Sequence, residues 1–194
     1  MNESHTDPLQ RSARLKQEAD FVLQAINLYE IVQPYGRITP TGSYYLDVMA
    51  YPDIDLYLSK ISVAELFAIG GWLAASDLVF QVVFEKSQTA RLPGGLYLKP
   101  RIAYGDWRRP WKIDIWSLDD EVIDQQMAEI HRFQQAMTAE IREQIIHYKH
   151  TILTESRRTP MYSGYHICKA FIDEGLTDFQ AVTAYLVEQG VRMG

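Results

Sequence analysis

A chain of 194 residues that is 47% apolar, with 12 Tyr, 7 Phe and 4 Trp, can bury a sizeable core as one domain or as a small domain with an appendage. Its 25 acidic residues outnumber 19 basic ones, for a net charge of −6, which excludes a bulk nucleic-acid binder and requires any bound anion to be held locally. The single Cys168 excludes an internal disulfide, the opening MNESHTDPLQRSARLKQEAD has no apolar run, and no stretch nears the roughly 18 apolar residues of a membrane helix. A cytoplasmic protein without membrane contact is the expectation.

After a polar start of about seven residues, Pro8 opens a predicted helix to about Val32, with Leu15, Ala19, Val22, Leu23 and Ile26 at helical spacing and Pro34 and Gly36 as its stop. Arg37 to Thr41 reads as a short strand, Gly42-Ser43 as a turn, and Tyr44 to Ala50 as a helix of about two turns closed by Pro52. In Asp53 to Ser59, Ile54, Leu56 and Leu58 alternate with Asp53, Asp55 and Tyr57, the period of a strand with an apolar back. Ser62 caps a helix over Val63 to Ala75, and Glu65 completes a capping box. Asp77 to Glu85 is rich in β-branched and aromatic residues and reads as a third strand. After a turn at Leu92-Pro93-Gly94-Gly95, Leu96 to Tyr104 is a fourth strand, Gly105 to Pro110 a loop and Trp111 to Leu118 a fifth strand.

From Asp119 the pattern is helical. A polar-rich helix covers about Asp120 to Thr154 with a break near Ala136-Met137; Thr159-Pro160 caps a second that runs to about Ile172 and stops at Gly175; Thr177 caps a third that ends at Gly190. The chain thus divides into a mixed α/β unit over residues 1–118, the N-terminal helix included, and a helical unit over residues 119–194.

The chemistry concentrates in the second and fifth strands. Asp53 and Asp55 share one strand face, and two like charges a few Å apart call for a divalent cation. On the fifth strand Lys112, Asp114 and Trp116 face one way and Ile113 and Ile115 the other. If the two strands are neighbours, Asp114 completes a set of three carboxylates that can hold two Mg²⁺ ions about 3.5 to 4 Å apart, and Lys112 points into the same space as a candidate phosphate-binding residue, with a solvated neighbour of Asp114 as the alternative. Gly42 lets the backbone approach closely, and the amides at the start of the following helix favour a phosphate.

The pattern Gly42-Ser43, nine residues, Asp53-Ile54-Asp55-Leu56, then Asp114 in an apolar strand resembles the signature of the nucleotidyltransferase superfamily related to DNA polymerase β, especially its small bacterial members. Those include antibiotic nucleotidyltransferases and the minimal enzymes that pair with helical HEPN proteins. The resemblance implies an α/β (α+β) fold, a mixed sheet with flanking helices, followed by a C-terminal helical domain that shapes the acceptor pocket. It implies metal binding and catalysis by Asp53, Asp55 and Asp114, triphosphate contacts at Gly42 and Ser43, and Mg²⁺ and a nucleoside triphosphate, ATP above all, as cofactor and substrate. The acceptor is an unknown hydroxyl, and a homodimer is left open. At Tyr44-Tyr45-Leu46 the chain departs from the family, which often carries Arg or a small polar residue there.

Independently of any family, seven basic residues (Lys86, Arg91, Lys99, Arg101, Arg108, Arg109, Lys112) against Asp106 alone make the window 86–112 +6 in a chain of −6, a positive wall suited to a triphosphate with Mg²⁺. Elsewhere the plainer readings hold. Asp47 is expected exposed, His147 and His150 surface residues on a helix, Tyr165, His166 and Lys169 helix-packing residues with an acceptor pocket as the alternative, and Cys168 a small core residue. Two rival functions remain: a catalytically silent nucleotide- or protein-binding regulatory module of antitoxin type, and a transferase that modifies a protein side chain.

Overall fold

The computed structural model describes residues 7–88, 92 and 94–193. Residues 1–6 of the polar start, Arg91 of the basic window and Pro93 of the expected turn lie outside the described residues.

Five strands, β1 (Ile38–Thr41), β2 (Asp53–Ser59), β3 (Val79–Lys86), β4 (Leu96–Ile102) and β5 (Trp111–Leu118), form one mixed sheet in the order β1-β2-β5-β4-β3. Only β2 and β5 run parallel; the other neighbours are antiparallel. A parallel pair needs a long crossover, here the whole stretch from Lys60 to Pro110, so the two strands that carry the aspartates come together only when the sheet is complete.

Helices α1 (Pro8–Ala25), α2 (Leu28–Val32), α3 (Gly42–Tyr45) and α4 (Val63–Ala74) belong to this half. Leu15 and Val22 of α1 and Leu66, Ile69 and Leu73 of α4 bury themselves with Ile54, Leu56, Leu58, Leu98, Ile113 and Ile115 in one apolar cluster behind the sheet. The capping box on α4 forms as expected, with Ser62 Oγ accepting from the Glu65 amide and the Glu65 carboxylate accepting from the Ser62 amide. The apolar faces of β2 and β5 are thereby used up, and their carboxylates are left on the opposite face.

The other half is α5 (Asp120–Ala136), α6 (Ala139–Thr151), α7 (Ser163–Ile172) and α8 (Phe179–Glu188). Its core of Phe133, Ile145, Ile146, Ile167, Phe171, Val182 and Leu186 also takes in Leu46 and Val48 from the loop before β2. At its start α5 covers the aspartate side of the sheet, where Ile123 and Met127 pack with Tyr57 and Trp116. No helix among the described residues is long and apolar enough to cross a membrane.

Several expected boundaries move. The helix expected over 8–32 is interrupted at Asn27, whose left-handed φ of 52° ends α1 and starts α2, although Leu28 and Val32 keep their buried positions. The helix expected over 44–50 is one turn, Gly42–Tyr45, because Asp47 adopts φ 55° and turns Val48 into the second core. β3 begins at Val79 and β4 ends at Ile102. Thr159 caps nothing: α7 starts at Ser163 after a left-handed Tyr162, its entry held by the Ser163 hydroxyl donating to the Pro160 carbonyl. At α8 the cap is Asp178, whose carboxylate accepts from the Gln180 and Ala181 amides, and not Thr177. The expected break in the long helix falls at Met137, where ψ turns extended.

Phe133 is fully buried at the centre of the second cluster. Phe133→Ala is expected to lower the free energy of unfolding by about 3–5 kcal/mol, read from the midpoint of a urea titration at unchanged slope.

Candidate active site

The register of β2 on β5 sets Asp53 opposite Lys112 and Asp55 opposite Asp114. Parallel strands in this register present residues of one parity on one face, so the carboxylates of Asp53, Asp55 and Asp114 converge, with oxygens that all lie within 4.8 Å of one another. Among the described residues this is the one group of three or more His, Cys, Asp or Glu side chains close enough to hold a metal ion. The alternate residues Ile54, Leu56, Ile113 and Ile115 are fully buried behind it, which prevents the strands from slipping out of this register.

Lys112 lies inside the cluster. Its Nζ donates to Asp114 Oδ2 at 2.5 Å and stands 2.9 Å from Asp53 Oδ1 as an ion pair off the hydrogen-bonding direction. Tyr97, on β4, donates its hydroxyl to the other Asp114 oxygen at 2.6 Å and packs tilted by 30° against Trp116 at 4.5 Å between ring centroids. Asp114 is thus bonded on both oxygens, while the hydrogen bonds found here leave Asp55 to repel its neighbours. Burial pushes the Asp55 carboxyl well above the usual carboxylate range, and the charges of Asp53 and Asp114 push it further, against Lys112 and Lys149. Burial likewise raises Asp53, with Lys112 opposing and Asp114 reinforcing. Burial lowers Lys112, but Asp53, Asp114 and Asp55 more than reverse it, so its ammonium is held charged.

Gly42 lies against the same cluster. It has φ 62°, and a Cβ there would collide with Asp55 Oδ2, so a side chain is excluded twice over. Ser43 is the second residue of α3, and Thr41 stands at the cap position with no side-chain bond. Because α3 is a single turn, the expected helix-start amides provide little field for a phosphate. Positive charge comes instead from Lys149 of α6, which is 2% exposed and donates to Ser43 Oγ at 2.5 Å and to the Val48 carbonyl at 2.7 Å. Burial pushes its ammonium below the usual lysine value, and Cys168, Asp53 and Asp55 pull the other way.

Lys149 and Tyr97 are site residues that the sequence reading did not single out, and Arg109 entered it only as one member of the basic window. Lys149 lies four residues after Ile145 on the buried face of α6, and a lysine in an apolar helical stripe is the signal. Tyr97, Lys99 and Arg101 alternate along β4 and carry the same period-two signal as the aspartates. Arg109 sits over Tyr51, with its guanidinium carbon 5.1 Å from the ring centroid, and its charge reaches Asp53.

The remaining candidates lie elsewhere. Asp47 pairs with Arg142 at 2.8 Å. His147 and His150 belong to no metal-holding group among the described residues. Tyr165 packs on Phe133, and Cys168 is buried, its thiol pushed up to about 11 by that burial.

The donor set fits a hard divalent cation: three oxygen ligands, two of them with raised pKa, around a space that a lysine ammonium already enters. No family model and no curated protein matches this chain. Among solved structures, that of the Cid1 poly (U) polymerase bound to MgGTP is similar, with a TM-score of 0.50 at 16% identity over 78% of this chain. The chain spans about half of that polymerase, 48% of its length. The fold is the mixed-sheet nucleotidyltransferase fold.

The metal-free protein carries ionised carboxylates against their own preference. An acid whose pKa is raised on folding costs stability above its folded value, and that cost disappears as the pH falls toward its unfolded value. Stability of the metal-free protein is therefore expected to rise as pH falls from 7.5 to 5 in the part due to Asp55. Asp55→Asn should flatten that part and raise the free energy of unfolding at pH 7.5 by about 0.5–2 kcal/mol, both read by urea titration without metal.

Proposed function

We propose that the chain is a nucleotidyltransferase that moves a nucleoside monophosphate from a Mg²⁺-bound nucleoside triphosphate to an acceptor hydroxyl. The observation that carries this reading is the convergence of Asp53, Asp55 and Asp114 beside Gly42-Ser43 in a nucleotidyltransferase fold. Asp53, Asp55 and Asp114 would hold the metal, two ions by the sequence-based expectation, and the metal supplies neutralisation of charge on the attacking and leaving oxygens.

The chain's own groups account for the rest. The acceptor oxygen bonds to the α-phosphorus, the bond from that phosphorus to the bridging oxygen breaks, and pyrophosphate leaves. Asp114, held in place by Tyr97, receives the acceptor proton. Gly42 gives the phosphates a close backbone approach, and the Ser43 hydroxyl and Lys149 ammonium contact them from the β1 side. The Lys112 ammonium, 2.9 Å from Asp53, would contact the phosphates from the strand side. Most of the rate would come from positioning and neutralised charge.

One observation favours the silent regulatory module: Lys112 already supplies a cation between Asp53 and Asp114. The two readings separate in a pyrophosphate-release assay with Mg²⁺ and each of the four triphosphates, ATP expected foremost, against a panel of hydroxyl acceptors. Turnover is expected in the unsubstituted protein, with a loss of about 10²-fold or more in Asp53→Asn and Asp55→Asn. Nucleotide binding without turnover, unchanged in both variants, selects the module.

Lys149→Met keeps the length and apolar stem of the side chain and removes its charge. It is expected to weaken triphosphate binding about tenfold while Mg²⁺ binding at the carboxylates persists, read by calorimetry with a non-hydrolysable analogue.

A further inference from the structure

The two edges of the sheet are built differently. At one edge β1 has four residues and carries Pro40, and both features keep a strand from pairing outward. At the other edge β3 has eight residues, VFQVVFEK, with no proline, and pairs with β4 alone. A register shift between Val79 and Gln81 leaves 81–86 as its regular run, whose outward backbone groups meet no other strand among the described residues. An apolar, β-branched edge of this kind is a template for a further strand.

Beside that edge lies an apolar stripe on α4. Val63, Phe67 and Gly71 recur every four residues on one helix face, and the Phe67 ring meets that of Phe84 on β3 at 4.8 Å between centroids. Phe67 and Phe80 are each 56% exposed, and a Cβ at Gly71 would meet nothing within 4 Å. On its inner side α4 sits over the line between β3 and β4: a Cβ at Gly70 would lie 3.4 Å from Leu98 of β4 and 3.5 Å from Val82 of β3.

These positions fit a second copy of the chain. A twofold axis normal to the sheet sets two β3 strands antiparallel and keeps each face of the sheet on its own side. With α4 midway between β3 and β4 in each copy, the two α4 helices lie two strand spacings apart, about 9.5–10 Å, which is the distance of packed helices. A strand from another protein would cover β3 and leave the α4 stripe bare. Opposed residues must share a face, and a register centred on Val83 sets Gln81 opposite Glu85 and Val82 opposite Phe84, twice over, and brings Lys86 to the level of Phe80. No like charges are opposed. Arg101, which donates to Gln81 Oε1 at 3.4 Å, lies on the same face as the second copy's Glu85, with Gln81 between them.

We propose that β3 is the interface of a symmetric homodimer, in which two copies join edge to edge into one ten-stranded sheet, five strands from each, and close their α4 stripes against each other. The four rings of Phe67 and Phe80 in the two copies expose about 400 Å² of aromatic surface, a third of the ~1,200 Å² at the low end of specific interfaces, and the edge backbone, Val63 and the strand side chains supply the remainder. A Kd of about 1–100 μM follows from an interface of that size. Both carboxylate clusters then open on one face of the joined sheet, six strand spacings or about 30 Å apart. The dimer is independent of the transferase reading above.

The test is sedimentation velocity of the full chain over about 1–200 μM, a range that brackets the expected Kd. The mass is expected to rise with concentration from 22.4 kDa toward twice that value. Val83→Lys, which sets two ammoniums together at the axis, and Phe67→Gln on α4 should each weaken dimerisation about tenfold or more. They are made separately so that one folded variant suffices, an unchanged urea midpoint showing that it is folded. Cys168 is buried, so Val83→Cys supplies one reactive thiol at the axis, which a short bismaleimide should link to its copy, whereas Glu188→Cys on the exposed side of α8 should remain unlinked. A single 22.4 kDa species at every concentration would overturn the proposal. A dimer that survives both substitutions, or that crosslinks no better through position 83 than through position 188, would also overturn it and assign the association to another surface.

Discussion

Repulsion among three carboxylates, imposed by one parallel strand pairing, is the constraint from which the rest of the site follows. With ligand oxygens within 4.8 Å, each pair of full charges repels by about 3–4 kcal/mol at an effective dielectric near 20. The sheet sustains this because the same register buries Ile54, Leu56, Ile113 and Ile115, and a slip of one residue would exchange them for aspartates in the core. Lys112 and the Tyr97 hydroxyl relieve Asp114, and Lys112 relieves Asp53 in part. At Asp55 burial and the charges of Asp53 and Asp114 act together and push the carboxyl well above the usual carboxylate range.

The helical half acts on the same place from the other side. Along α6 and the turn after it, Arg142 pairs with Asp47, Lys149 reaches Ser43 and Val48, and the carbonyls of Ser156 and Arg157 accept from Arg109. Leu46 and Val48 meanwhile sit in the second apolar cluster. The Gly42-Ser43 turn is therefore positioned by residues about a hundred places away in the chain, and packing in the helical half bears directly on where a phosphate could rest.

The charge distribution divides the site's surroundings without any excess of positive charge overall. One buried ammonium, Lys149, meets Ser43, and the Arg109 guanidinium lies over Tyr51 near Asp53, in a chain whose other ion pairs are largely exposed and contribute little to stability. Local concentration in a partly desolvated cleft matters more for binding an anion than net charge, because screening and solvation weaken distant charges.

Strand existence, the split of Asp53 and Asp55 from Ile54 and Leu56, the capping box at Ser62 and the break near Met137 were all legible, since each depends on a period or a contact within a few residues. The break at Asn27 was not, because burial of Leu28 and Val32 continues the helical rhythm across it. At α8, Thr177 and Asp178 are both good caps by type, and the choice between them is made by where the chain enters the helix. Lys149 escaped for a related reason: its neighbours Ile145, Ile146 and Tyr148 describe a buried stripe, but only the folded chain shows that the stripe's one cation meets a serine hydroxyl and a carbonyl. Amino-acid order alone thus determined which residues share a face, because that is local geometry at 2.0 or 3.6 residues per repeat. Which faces meet, β2 with β5, β4 beside Asp114 and α6 over Ser43, was decided only in the tertiary structure, where burial of apolar surface far apart in the chain selects one set of neighbours.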